Sequence, residues 1–156
     1  YDFPLISGCL APGETGSGKI VSEIKKRAEK YEYEVMIIDS SPGTGCPVIA
    51  SLQDVDFVVL VTEPTASAFS DLKRVLKVVN YFELPWGLVI NKKDINMNLS
   101  NRINKWAQTK KLGDISYDQN IFKAIANFKP IMKTNLRAKQ EIKTIFDKLF
   151  LKIKNI

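Results

Sequence analysis

Apolar positions along the chain switch between two periods. Continuous runs of a strand's length, EVMIID at 34–39, DFVVLVT at 56–62 and WGLVIN at 86–91, alternate with stretches where apolar residues recur every three or four positions. Ile20, Val21, Ile24, Ala28 and Tyr31 fall at that spacing among Lys and Glu and predict an amphipathic helix over 18–32. Phe69, Leu72, Val75, Leu76 and Val79 predict a second over 67–82. PLISG at 4–8 reads as a short strand before a glycine-rich turn at 11–18, and 47–54 as a short helix with Pro47 in its first turn. Residues 99–111, 119–128 and 136–154 read as helices, and 114–118 as a brief strand and turn. No tight hairpin turn joins the apolar runs, and an unbroken apolar run is the signature of a strand covered on both faces. The expected fold is one α/β domain over 1–156, doubly wound, with a mainly parallel sheet and helices on both faces.

Composition narrows the chemistry. The chain has 156 residues, ordinary globular proportions, and no apolar run near the ~20 residues of a membrane helix. It contains no histidine, which removes Ser-His-Asp and Cys-His catalysis and every His-ligated metal site. Cys9 and Cys46 are too few for a disulfide framework and are expected to be reduced thiols in a cytoplasmic protein. The first ten residues show no secretory leader, and the start at Tyr1 suggests a piece of something longer. Charge is uneven: residues 1–91 carry 8 basic and 12 acidic side chains, residues 92–156 carry 15 and 5. A basic half can attract nucleic acid or an anionic surface. A solvated lysine-rich face is the simpler expectation, because basic and aromatic residues are not interleaved as in single-strand binders.

In open α/β sheets ligands bind at the carboxyl ends of the strands, so the loop from Asp39 to Pro47 and the loops TEPTASAF and NKKD are the candidate site. Asp39 ends an apolar run and could hold Mg2+ through water, and the Gly43 amide behind Pro42 could approach a γ-phosphate unobstructed. Asn91 is placed to reach a base edge. Asp94, three residues on, suits the paired donors of guanine and by itself leans toward GTP. GETGSGKI at 13–20 matches the phosphate-loop spacing GxxxxGK, but Ile20 stands where a hydroxyl should meet magnesium, and Gly8 and Pro12 break the run before it. A glycine-rich turn leading into a helix is the favoured reading. A small GTPase built on GETGSGKI, Asp39–Gly43 and NKKD, or a non-catalytic basic interaction domain, are the alternatives.

PGETGSGKIV, IID with the SSPGTGCPVIASL that follows it, VTEPTASAFSDLKRVL, LVINKKDIN and ISYDQNIFKAI…KPI occur in the order and spacing of the MinD/ParA/Mrp-like P-loop ATPases. The resemblance is nearest to the MinD-superfamily members that carry an inserted ferredoxin domain, and it covers Tyr1 to Phe150. It implies an ATP-binding, ATP-hydrolysing switch that dimerises around nucleotide, with Asp39–Gly43 as the γ-phosphate-sensing loop and Asp39 near Mg2+. It implies that Asn91 contacts adenine, overriding the guanine lean, and that Pro64 lies beside the site. It makes PGETGSGK a connecting turn and helix. The family's KGGxGK-type phosphate loop and the insert with its 4Fe-4S clusters are absent from these residues. The chain therefore resembles the C-terminal part of such an ATPase, not expected to hydrolyse ATP alone, with an iron–sulfur or redox partner in the parent and no nucleic-acid or membrane contact. Loss of a central strand would leave its neighbours unpaired.

Overall fold

The structure, a computed structural model, describes residues 3–154. Three strands, β1 (Val58–Thr62), β2 (Trp86–Ile90) and β3 (Lys111–Asp114), form a parallel sheet in the order β1-β2-β3. Six helices surround or precede it: α1 (Ser17–Ala28), α2 (Cys46–Leu52), α3 (Ala66–Tyr81), α4 (Met97–Ala107), α5 (Gln119–Ala126) and α6 (Arg137–Ile153). The α/β fold with a parallel sheet matches the expectation. β3 begins three residues earlier than predicted, because the predicted 99–111 helix ends at Ala107 and a short 3-10 turn, 108–110, leads straight into the strand.

Local sequence sets the helix starts. Thr65 accepts the Ala68 N–H at 3.2 Å to open α3, Asn96 accepts the Leu99 N–H at 3.0 Å to open α4, and Asp118 accepts the Asn120 N–H at 2.8 Å to open α5. One core joins the elements: Val48 and Leu52 of α2, Leu60 of β1, Leu72 and Val79 of α3, Leu88 and Ile90 of β2, and Ile103 and Ala107 of α4. On the other face, α6 seats Ile145 over Gly113, where an added Cβ would come within 2.5 Å of the Ile145 side chain. β2 is therefore the central strand, with Leu88 and Ile90 wholly buried.

β1 is different. Its Val58 N–H donates to Pro85 O at 2.9 Å, and Thr62 O accepts from Asn91 N–H at 2.8 Å. Val58, Leu60 and Thr62 therefore turn their backbone groups toward β2. In an extended strand the intervening residues point the opposite way, so the Val59 and Val61 groups line the other edge. Among the described residues no strand pairs with that edge. Both valine side chains are exposed, Val61 by 62%.

Two predicted strands do not form. EVMIID at 34–39 runs without a ladder partner, with Ile37 84% exposed and Asp39 exposed at its end. PLISG at 4–8 is likewise irregular and lies along α1, where a Cβ on Gly8 would come within 2.8 Å of Ile20 and Ile24. An apolar run becomes a strand only when a neighbour satisfies its backbone groups, and among the described residues neither segment has that neighbour. The amino-terminal unit instead holds together through helices: the Lys25 ammonium donates to the Ala50 and Gln53 carbonyls at the end of α2. Backbone approaches closely at Gly18, where a Cβ would lie 3.2 Å from Cys46 O.

The sheet core rests on β2. Leu88→Ala should lower the unfolding free energy by about 3 kcal/mol in urea denaturation, as expected for a fully buried leucine; Ile37→Ala, at an exposed position, should change it by no more than about 0.5 kcal/mol.

Candidate functional site

The parallel sheet brings three loops to one end. Glu63 and Pro64 follow β1, Asn91 to Asp94 follow β2, and Ile115 to Asp118 follow β3. Backbone bonds stitch them together: Asn91 N–H to Thr62 O at 2.8 Å, Ile115 N–H to Ile90 O at 2.8 Å, and Lys93 N–H to Ile115 O at 3.0 Å. Lys92, held at φ 52°, reaches across to Glu63 with Nζ 2.7 Å from Oε1. The structure thus places Pro64, Asn91 and Asp94 in one neighbourhood.

Each of these residues has a definite state. Pro64 is fully buried, so it shapes the β1–α3 loop and offers no surface of its own. The Asn91 side-chain oxygen accepts the Lys92 N–H at 3.0 Å, which leaves the amide N–H groups as the side chain's outward chemistry. Asp94 accepts the Tyr117 N–H at 2.7 Å through Oδ1. Glu141 of α6 accepts both the N–H and the hydroxyl of Ser116, at 2.8 and 2.7 Å, and pairs with Arg137 at 2.9 Å. Two carboxylates therefore clamp the loop after β3 from opposite sides. Glu63, Lys92, Ser116, Tyr117 and Glu141 were not singled out by sequence; the TEP, NKKD and ISYD blocks were the only signal for the first four, and nothing local marked Glu141, which acts from 25 residues away.

The Asp39–Gly43 loop enters by a different route. Ser40 Oγ lies 2.7 Å from Ser51 Oγ, which donates to Val48 O at 2.8 Å, so the loop hangs from α2. Pro42 and Gly43 are exposed, and Gly43 has φ 97°, the left-handed region that favours glycine. With nothing near its Cβ direction, the Gly43 backbone stays open to an approaching group. GETGSGKI opens α1 from irregular chain, with Gly16 at φ 100° as the cap residue; it does not follow a strand of the sheet.

Magnesium commonly takes one or two carboxylates, with phosphates and waters completing its shell. Asp39 supplies one, and among the described residues no group of three or more Cys, Asp or Glu comes together. The residues fit Mg2+ only together with a nucleotide's phosphates. Cys9 and Cys46 are both exposed free thiols and supply at most half the ligands of a 4Fe-4S cluster, so such a cluster does not fit these residues.

No family model matches the chain. Residues of the chain are 39% identical over 148 positions to the uncharacterized protein MJ0578 of Methanocaldococcus jannaschii, covering 94% of this chain and 51% of that protein. The uncharacterized ATP-binding protein MJ0823 of the same organism is 26% identical over 151 residues, covering 95% of this chain and 56% of its own length. The chain therefore spans about half the length of these relatives. Among solved structures, the cell division ATPase MinD of Pyrococcus furiosus superposes with a TM-score of 0.70 at 17% identity, covering 86% of this chain and 58% of that one. A plasmid partition protein of Borrelia burgdorferi B31 bound to AMPPNP gives 0.70 at 21%, covering 83% and 55%. The fold is that of the MinD/ParA-type P-loop ATPases.

Glu141→Ala leaves two donors of Ser116 without their carboxylate and should cost about 2–3 kcal/mol in urea denaturation. Glu141→Gln keeps an acceptor oxygen and should recover more than half of that.

Proposed function

We propose that this chain is the switch and base side of an ATP-binding, MinD/ParA-type switch ATPase, with the phosphate cradle contributed by polypeptide outside the 156 residues. The observation that carries the reading is the gathering of Pro64, Asn91 and Asp94 at the carboxyl ends of adjacent parallel strands, where α/β sheets take their ligands. A fold whose solved example holds AMPPNP, and a relative named as ATP-binding, support a nucleotide as the ligand.

In this reading the Asn91 amide donates to the adenine edge. Pro64 and the Glu63–Lys92 pair fix the loop beside it. The Gly43 amide faces the γ-phosphate, Pro42 sets the turn, and Asp39 holds a water of the nucleotide's Mg2+. Asp94 shapes the pocket through Tyr117, whose N–H it accepts. Hydrolysis needs amides and lysines around the phosphates, which the open strand edge and the irregular GETGSGKI segment do not supply. The parent is a nucleotide-dependent homodimer that holds its iron–sulfur clusters outside these 156 residues and works with a redox partner protein.

Calorimetry tests the proposal. The chain by itself should show no MgATP or MgGTP binding below millimolar concentration. Co-purified with the half of MJ0578 that it does not match, it should bind MgATP at micromolar concentration. Asn91→Ala should weaken that binding by about tenfold, and Lys19→Ala should leave it unchanged. Micromolar MgGTP binding by the chain alone, abolished by Lys19→Ala, would overturn the proposal in favour of the GTPase reading.

A further inference from the structure

The peptide between Ile115 and Ser116 is gripped at both poles. Its carbonyl accepts the Lys93 N–H at 3.0 Å, and its own N–H donates to Glu141 Oε2 at 2.8 Å. A trans peptide points those two groups in opposite directions, so this single unit spans the gap between the loop after β2 and helix α6. The hydroxyl of Ser116, a buried residue, adds a second bond to Glu141, donating to Oε1 at 2.7 Å.

On the β2 side the grip reaches Asn91 through one residue. The Lys92 N–H donates to the Asn91 side-chain oxygen at 3.0 Å, and the next N–H, that of Lys93, is the one Ile115 holds. Lys92 stands between these two bonds at φ 52°, a left-handed conformation that a lysine rarely adopts unless its surroundings impose it. Fixing the Lys93 amide holds that conformation, and with it the N–H on which the Asn91 side chain is anchored. Helix α6 has apolar seating of its own, since Ala138 is buried and Ile145 lies over Gly113. The Glu141 carboxylate, only 13% exposed, is costly to bury, and its bonds go to Ser116 and to Arg137 of its own helix.

We propose that Glu141 is a positioning residue for the base site: through the 115–116 peptide it holds Lys93 and Lys92, and so fixes the Asn91 amide in the orientation that meets a purine's edge. The proposal rests on reading Asn91 as the base contact. Helix α6 then acts on the nucleotide without touching it.

Two measurements test this. In 15N spectra of the chain alone, Glu141→Ala should move the resonances of the Lys92 and Lys93 backbone amides and the Asn91 side-chain amide, and leave those of Lys19 and Leu72 in place. In the complex with the half of MJ0578 that the chain does not match, calorimetry should show Glu141→Ala weakening MgATP by about tenfold, as Asn91→Ala does. The double variant should be no more than about twofold worse than either single one, because both remove the same contact. Glu141→Gln should recover affinity to within about threefold. Magnesium tripolyphosphate, which has no base, should bind wild type and Glu141→Ala alike. Should Glu141→Ala not fold, Ser116→Ala, which removes only the hydroxyl bond, carries the same comparison, with a loss of about threefold for MgATP and none for tripolyphosphate. Unmoved Asn91 and Lys92 resonances, additive losses in the double variant, or an equal loss for tripolyphosphate would each overturn the proposal and leave Asn91 standing as the base contact. A wild-type complex that binds no MgATP would overturn both.

Discussion

A parallel strand presents backbone donors and acceptors along both edges, and each edge needs a partner or water. β1 satisfies one edge through β2, and among the described residues no strand pairs with the other, which the Val59 and Val61 backbone groups line. Much of the rest of the molecule follows from that. The valines stay exposed on a sheet type that is ordinarily covered on both faces. Residues 34–39, the apolar run best suited to lie beyond such a neighbour, remain extended but unpaired, and the amino-terminal helices reach the core only through Val48 and Leu52 of α2.

The chain therefore divides into a tightly made side and a loosely made side. From β1 to α6 the strand-end loops are cross-linked by backbone bonds and by Asp94 and Glu141, and β2 is buried on both faces. From Phe3 to Gly45 the chain holds one helix and otherwise irregular segments, and Asp39–Gly43 is tied down by the Ser40–Ser51 contact alone among the side-chain bonds described. The chain spans about half the length of the relatives it matches.

The tight side was legible in the sequence, and the loose side was legible only in part. FVVLVT and WGLVIN gave strands where expected, and the helices from α2 to α6 fall within a few residues of their periodic patterns, because each buries its apolar face against a neighbour present in the chain. EVMIID carried an equally strong strand pattern and failed. Periodicity reports what a segment would bury, not whether its partner is there. Asn91 and Asp94 were found through their place at a strand end, and Pro64 through the family resemblance of the loop that holds it. The role of Asp94 as a clamp on Tyr117, and the presence of Glu141 beside Ser116, depend on tertiary proximity that no local pattern encodes.

Backbone amide hydrogen exchange at β1 bears on the open edge most directly. In the chain alone, the amides of Val59 and Val61 and of residues 35–38 should exchange at least about a hundredfold faster than those of Val89 and Ile90, as unpaired backbone does. Binding of the completing half of a longer relative should bring Val59 and Val61 down to the rate of β2. Slow exchange at Val59 and Val61 in the chain alone would mean that the edge is already closed, and would contradict the reading of this chain as one side of a larger sheet.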